Sequence, residues 1–150
     1  MGVDLTPEEV DQYMLAAPRI ILCISRPGKA PLPVPMWFGW IDRKIYMHTL
    51  QTSKKVPPLR ENPEVSCLVE SGDEYFSLKA VIVIGHCDII DDQVEVKKYA
   101  ELISETKPIY KQYRPEKWPP HLERHYSKPR SLLRVTPKSI TSWDFKKIRR

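Results

Sequence analysis

The sequence has no long run of apolar residues. Its longest, AVIVI at 80–84, falls well short of the roughly 18 residues that suggest a membrane-spanning helix. The first ten residues, MGVDLTPEEV, are acidic and polar, and they lack the basic and apolar regions of a secretory signal. Both absences argue against a membrane or secreted protein, so we expect the chain to function in the cytoplasm.

Cysteine is also scarce. Cys23, Cys67 and Cys87 lie far apart in apolar stretches, and an odd, scattered set does not form a disulfide framework. No cysteine or histidine pair has zinc-like spacing. His121 and His125 are four residues apart but follow WPP in a stretch that reads as a loop. We therefore predict no metal site; the alternative for this pair is the wall of a substrate or haem pocket.

The chain also lacks a Gly/Ser linker, an internal repeat and a low-complexity tract. A length of 150 residues then predicts one domain, 1–150. Proline, by contrast, is abundant: 15 residues, about twice ordinary usage. Because prolines interrupt long helices, this count favours a β-rich protein. The net charge of +5 favours acidic ligands and says nothing about the fold.

Two helices are predicted from local signals. In LTPEEVDQYML, Thr6 and Glu9 have capping-box spacing, and Pro7 suits the first helical position. In DDQVEVKKYAELISE, aspartates precede an apolar stripe with helical spacing. The predicted order is helix, three strands, a short helix, two strands, helix, loop and final strand.

Strand-like stretches account for much of the remaining sequence. The first three read as an antiparallel meander, although Pro33 and Pro35 restrict the second to an edge or to a strand whose backbone faces something other than a sheet partner. Gly85 marks a bulge or a close approach. Residues 131–145 read as a last strand pair or one bent strand. We predict six strands and a small antiparallel barrel, closed or split. The stretches are 19–25, 32–41, 45–50, 65–71, 75–90 and 131–145.

A cluster of hydroxyls and cations stands between an apparent strand and an apparent helix, in MHTLQTSKKVPPLREN at 47–62. This composition predicts a bound anion, and the alternative is an exposed loop with solvated lysines. The aromatic stretch MWFGW at 36–40 has a similar ambiguity, because these rings suit either the core or the wall of a ligand pocket.

Four segments in order resemble one known family: VPMWFGWIDRKIYMHT, TSKKVPPLRENPEVSCLVE, VIVIGHCDIIDD and LLRVTPKSITSWDF. Together they are similar to the pyridoxamine 5'-phosphate oxidase-like split-barrel family of flavin and deazaflavin proteins, over residues 5–145. The resemblance implies a mainly β fold, a six-stranded antiparallel split barrel with short flanking helices. It also implies a homodimer with two equivalent cofactor sites at the subunit interface.

The resemblance also implies a cofactor-phosphate site at the strand-to-helix turn. Thr49, Thr52 and Ser53 would donate hydroxyl hydrogen bonds, and Lys54 and Lys55 would supply positive charge. The start of the following helix would add backbone N–H groups. Pro57-Pro58 departs from the family pattern, and it predicts a helix that starts only near Pro58.

The ring of the cofactor is expected to lie against the backbone of the second strand. The residues concerned are Val34, Pro35, Met36, Trp37 and Phe38, of which Trp37 or Phe38 would wall the pocket. Trp143 would close the pocket from the partner subunit.

By resemblance, the chain is an FMN-binding oxidoreductase that transfers hydride or electrons to or from a small organic substrate. The first alternative is the same fold with the deazaflavin coenzyme F-420. The alternative from another class is a non-catalytic protein that binds or sequesters flavin or haem. No catalytic triad is visible, so no catalytic residue is assigned from the sequence.

Basic and aromatic residues alternate in 107–130, which carries seven Lys/Arg and only Glu116 and Glu123 as acids. Such a stretch suits single-stranded nucleic acid, but no nucleic-acid-binding motif accompanies it. We therefore expect no nucleic-acid partner, and we interpret the segment as a lid over the cofactor cleft.

Overall fold

The computed structural model of the chain describes residues 2–111 and 119–149. Its strands and α helices, in chain order, are α1 Pro7–Ala16, β1 Ile20–Ile24, β2 Leu32–Met36, β3 Gly39–Ile41, β4 Lys44–Leu50, α2 Val56–Glu61, β5 Glu64–Ser71, β6 Lys79–Ile90, α3 Gln93–Thr106, α4 Pro108–Lys111, α5 Pro120–Tyr126 and β7 Arg130–Asp144. Short 3₁₀ helices cover Tyr75–Ser77 and Phe145–Arg149. Within these residues, no helix is both long enough and apolar enough to cross a bilayer.

The strands form one antiparallel sheet in the order β2-β1-β5-β6-β7-β4-β3. The predicted mainly β, antiparallel fold is confirmed, but the sheet has seven strands and not six. The additional strand arises because the stretch 32–41 divides at Trp37 and Phe38 into β2 and β3.

The predicted three-stranded meander is wrong, because β2 and β3 lie at opposite edges of the sheet. The strand β2 pairs with β1, which precedes it in the sequence, and β3 pairs with β4, which follows it. Pro33 and Pro35 occupy the edge strand β2, where a missing N–H removes no interior ladder bond. Only Trp37 and Phe38 connect the end of β2 to the start of β3, so the two edges of the sheet lie within about 11 Å of each other at this point. The sheet therefore curls into a split barrel.

The pairing of β6 with β7 confirms the bulge expected at Gly85. Ile84 pairs with Ser139 whereas Gly85 pairs with Pro137, so β7 contains one extra residue, Lys138. A Cβ at Gly85 would lie 2.4 Å from the carbonyl oxygen of Thr136, which is too close for any side chain. The stretch 131–145 is thus one long strand with a bend.

The barrel interior holds the main hydrophobic core, to which Ile20, Leu22, Ile45, Val83 and Leu133 contribute fully buried side chains. Helix α1 packs on this core with Val10 and Met14. A smaller cluster lies where α3 packs on β4 and β7. The predicted capping box of α1 is confirmed, since the Thr6 hydroxyl accepts from the Glu9 N–H and the Glu9 carboxylate accepts from the Thr6 N–H.

Candidate functional site

A cleft of about 700 Å³ opens beside the break between β2 and β3. Five parts of the chain line it: the end of β2 with Trp37, the end of β4 with the turn that follows, one face of α3, Tyr110 of α4, and the segment from α5 to the start of β7. The antiparallel pairing of β4 with β7 places Leu50 opposite Arg130, which brings distant parts of the chain to the same end of the cleft.

Eight of the eleven residues predicted to bind a cofactor line this cleft: Pro35, Met36, Trp37, Thr49, Thr52, Ser53, Lys54 and Lys55. The turn and the strand break are separated by more than ten residues in the sequence. They meet because the sheet is curled. The edge strand β2 lies close to the opposite edge, β3-β4, and the turn follows directly after β4.

The other three predicted residues lie outside the cleft. The side chain of Val34 packs on the barrel core, so only its backbone could face a ligand. Phe38 is fully buried and is a core residue, not a pocket wall. Trp143 pairs with Ala80 and lies beside Phe145, away from the cleft of its own chain. Its expected role in the cleft of a partner subunit stays a prediction.

The turn before α2 is held by its own backbone. The N–H of Ser53 donates to the carbonyl oxygen of Leu50 at 2.9 Å, and the N–H of Gln51 donates to that of Pro129 at 3.2 Å. The Ser53 hydroxyl accepts from the N–H of Lys55 at 3.3 Å, which leaves its O–H as a donor. These bonds fix the hydroxyl and the two lysines at one end of the cleft.

The expectation that α2 begins near Pro58 is wrong, because the helix begins at Val56. Prolines are tolerated there, since N–H groups of the first helical turn have no helical partner to lose. The expected N–H donors at the helix start are nevertheless missing. Val56 donates to Ser53 at 3.1 Å and Leu59 to Lys55 at 3.4 Å, and Pro57 has no N–H, nor does Pro58. The first turn of α2 therefore adds no N–H donor to the hydroxyls and ammonium groups of the preceding turn.

The cleft is positively charged. Its basic side chains are His48, Lys54, Lys55, His125 and Arg130, and none of the described residues that line it is an aspartate or glutamate. A desolvated phosphate or carboxylate requires such donors, because burying an unpaired charge is costly.

Arg130 was not predicted as a site residue, and it contacts His48. The two side chains lie 3.0 Å apart, from the guanidinium Nη1 to the imidazole Nδ1. A guanidinium has only donors, so Nδ1 is the acceptor and His48 is the neutral tautomer with its proton on Nε2. The contact spans 82 residues of sequence, and only knowledge of the β4–β7 pairing could have revealed it.

Tyr110 is a second site residue that the sequence did not reveal. Its ring stacks on Trp37 with centroids 4.2 Å apart and planes 1° from parallel. Tyr110 is buried, whereas half of Trp37 is exposed. Trp37 therefore has one ring face covered by protein and the other available at the mouth of the cleft.

Beneath this pair lies a fully buried lysine without a carboxylate partner among the described residues. Lys107 Nζ donates to the carbonyl oxygen of Ala17 at 2.6 Å and lies 3.2 Å from the centroid of the Phe38 ring. Burial lowers the pKa of Lys107 to about 7. Lys107 therefore ties the end of α1 to the residue that joins the two sheet edges.

His121 and His125 lie on α5, a short helix in a stretch expected to be a loop. His125 lines the cleft, and His121 is exposed. Over 2–111 and 119–149, no group of three or more His, Cys, Asp or Glu side chains could hold a metal ion. Part of the predicted lid, 112–118, lies outside the described residues.

A comparison with protein families agrees with this geometry. Residues 6–144 match the family model described as pyridoxamine 5'-phosphate oxidase. The chain belongs to this family. No curated protein matches the chain significantly.

Solved structures with the same fold support the assignment. A conserved hypothetical protein from Mycobacterium tuberculosis is 25% identical with a TM-score of 0.80, covering 97% of this chain and 89% of its own. A FAD-binding protein from Mesorhizobium loti is 20% identical with a TM-score of 0.68, covering 93% and 94%. A protein named F-420 reductase is 20% identical with a TM-score of 0.66, covering 90% and 98%. The last two likenesses establish the fold alone.

Proposed function

We propose that this family member binds a flavin-type cofactor in the cleft and transfers hydride or electrons between it and a small organic substrate. FMN is the first candidate cofactor, and the deazaflavin coenzyme F-420 is the alternative. The observation that carries the proposal is the meeting of the Ser53–Lys55 turn with the exposed face of Trp37 in one cleft.

The residues present fit such a cofactor. The cleft volume of about 700 Å³ is typical of pockets that hold a ligand of this size. Hydroxyls and ammonium groups at one end suit a phosphate, and an aromatic face with Met36 suits a conjugated ring. The ring would then lie against Trp37 at the strand break, and the phosphate would lie at the Ser53–Lys55 turn at the other end of the cleft.

When bound, a flavin or deazaflavin supplies the redox chemistry itself by accepting or donating hydride. The chain's own residues bind and orient. Lys54 and Lys55 would neutralise the phosphate, the Ser53 O–H would donate to it, and Trp37 would cover one face of the ring. Ile103 and Ala100 on α3 would exclude water from the inner side of the cleft.

The homodimer implied by the family belongs to the same proposal. Two copies would place Trp143 of each chain at the cleft of the other and would complete a site that is open on one side here. A small molecule is the expected substrate, and no membrane or nucleic-acid partner is proposed.

A non-catalytic flavin- or haem-binding protein is the second candidate. One observation favours it: the first turn of α2 offers no N–H groups to a phosphate, which lowers the expected affinity for a phosphorylated cofactor. Such a protein would bind the ligand but would not turn it over.

Calorimetric titration of the purified protein with FMN, riboflavin and the deazaflavin coenzyme tests the proposal. We expect FMN or the deazaflavin to bind, and FMN to bind more tightly than riboflavin because only FMN carries the phosphate. Reduction of the bound cofactor, followed by oxidation with candidate substrates, separates the enzyme from the binding protein. The proposal fails if neither FMN nor the deazaflavin binds, and a Soret band after haem addition would then support the second candidate.

A further inference from the structure

The strand β2 has one open edge, because it stands first in the sheet and pairs only with β1. This edge faces the split of the barrel, and Pro35 and Met36 at the end of the strand line the cleft. The open edge of a strand normally presents a row of N–H donors and C=O acceptors. The two prolines of β2 change that row, and one of them does so inside the cleft.

The register with β1 fixes the direction of the backbone groups of β2. Opposed residues of an antiparallel ladder alternate between pairs that exchange both hydrogen bonds and pairs that exchange none. Pro33 and Pro35 have no N–H, so their pairs are of the second kind. The pairs of Val34 and Met36 are then of the first kind, and their N–H and C=O groups are directed to β1. The backbone groups of both prolines are directed to the open edge.

The open edge of β2 therefore offers acceptors without donors. It presents the carbonyl oxygens of Pro33 and Pro35, and pyrrolidine rings stand where N–H groups would be. Beyond the end of the strand, the N–H of Phe38 already donates to the Tyr110 hydroxyl at 3.0 Å. Within 33–38, only the N–H of Trp37 lies outside these pairings. This wall of the cleft accepts hydrogen bonds but is poor in donors.

A wall of this kind distinguishes a flavin from a deazaflavin. The two ring systems differ at position 5, where an oxidised flavin has the acceptor N5 and a deazaflavin has C5–H. An acceptor that leaves water and finds no donor loses a hydrogen bond on binding. A C5–H group has no such requirement. Both rings keep the N3–H group, which a strand carbonyl can accept.

We propose that Pro35 is a specificity-determining residue that disfavours a ring with an acceptor at position 5. The residue acts through the N–H that it lacks, at the one proline of β2 that lines the cleft. The class of cofactor that this edge selects is a deazaflavin. This inference rests on the proposed function, and it favours the alternative cofactor over FMN.

The test is calorimetric titration of the full chain with oxidised FMN and oxidised 5-deaza-FMN. These ligands share the ribityl phosphate and differ only in N5 against C5–H, so the Ser53–Lys55 turn contributes equally to both. Pro35→Ala returns an N–H to the edge inside the cleft. Pro33→Ala is the matched control, because it makes the same change on the same edge outside the cleft. Loss of a proline ring alone would affect both ligands alike.

We expect the wild type to bind 5-deaza-FMN about tenfold more tightly than FMN, the effect of one unpaired acceptor. In Pro35→Ala the ratio should fall to about twofold or less through a gain for FMN, and Pro33→Ala should keep the wild-type ratio. The wild-type comparison needs no variant to fold.

Equal affinities in the wild type would mean that another donor, such as the Trp37 N–H, reaches N5, and they would overturn the inference. An unchanged ratio in Pro35→Ala, or an equal fall in both variants, would do the same. Each of these results leaves the proposed function intact. Failure of both ligands and of the deazaflavin coenzyme to bind the wild type would overturn the proposed function as well.

Discussion

The hydroxyl of Tyr110 satisfies both backbone polar groups of Phe38. It accepts from the Phe38 N–H at 3.0 Å and donates to the Phe38 carbonyl oxygen at 3.1 Å. Phe38 lies in the two-residue link between β2 and β3, where no strand pairing is possible. A side chain from α4 thus replaces a missing strand partner at the split of the barrel.

Removal of this hydroxyl should destabilise the fold. Tyr110→Phe keeps the ring that stacks on Trp37 but leaves the buried N–H and C=O of Phe38 without their partner. We expect a loss of about 1–3 kcal/mol in the free energy of unfolding, measured by urea denaturation. Tyr75→Phe is the control, because Tyr75 is exposed. Equal stability of the two variants would show that the contact is dispensable.

The two adjacent residues of the link should differ in how much they contribute to stability and to flavin binding. Phe38→Ala should cost about 3–5 kcal/mol of stability, because the ring is fully buried. Trp37→Ala should cost about 1 kcal/mol, the value of one aromatic stack, and should weaken riboflavin and FMN binding alike. Unfolding curves and titrations of both variants check this. A Trp37 variant that binds both flavins normally would remove the indole from the proposed site.

The proposed phosphate site at the Ser53–Lys55 turn gives a quantitative prediction for cofactor affinity. Replacing Lys54 and Lys55 together with alanine should lower FMN affinity by about 2 kcal/mol or more, given the strength of charge-assisted contacts. Riboflavin, which has no phosphate, should bind equally to variant and wild type. The control replaces Lys97 and Lys98 with alanine. Unchanged FMN affinity in the turn variant would place the phosphate elsewhere.

Lys107 predicts a pH dependence of stability. Its pKa is about 7 in the folded chain against an ordinary value of 10.5, because burial disfavours the ammonium form. Between these values the unfolded chain binds more protons, so stability contributed by this group rises as pH increases from 7 towards 10.5. Below pH 7 the contribution is constant and unfavourable.

The change Lys107→Met removes the titrating group and keeps a long side chain. We expect the wild-type free energy of unfolding, relative to this variant, to rise by up to about 1.4 kcal/mol per pH unit between pH 7 and 10. Urea denaturation at several pH values measures it. A difference that does not change with pH would mean that Lys107 does not titrate in this range.

The sequence predicted correctly several features that depend on residues close together in the chain. The capping box depends only on Thr6, Glu9 and the residues between them, and the irregularity expected at Gly85 follows from the missing side chain of glycine. The edge position suited to Pro33 follows from its missing N–H. These features needed no knowledge of how the strands assemble.

Most of the misread features depend on distant contacts, and only the start of α2 is a local error. The division of 32–41 into two strands follows from closure of the whole sheet, which no pattern within the stretch encodes. Tyr110 and Arg130 come from a proline-rich region without regular periodicity, and strand pairing or helix packing alone brings them to the cleft. The start of α2 was misjudged because Pro58 does not prevent Pro57 from adopting helical geometry in a first turn.

The position of β7 between β6 and β4 has a consequence for synthesis of the chain. Strands β3 and β4 leave the ribosome early, but the partner that joins them to the rest of the sheet begins only at Arg130. Until then the first six strands can pair only as two separate groups, β2-β1-β5-β6 and β3-β4. The barrel, and with it the end of the cleft where His48 meets Arg130, therefore assembles only once nearly the whole chain has been translated.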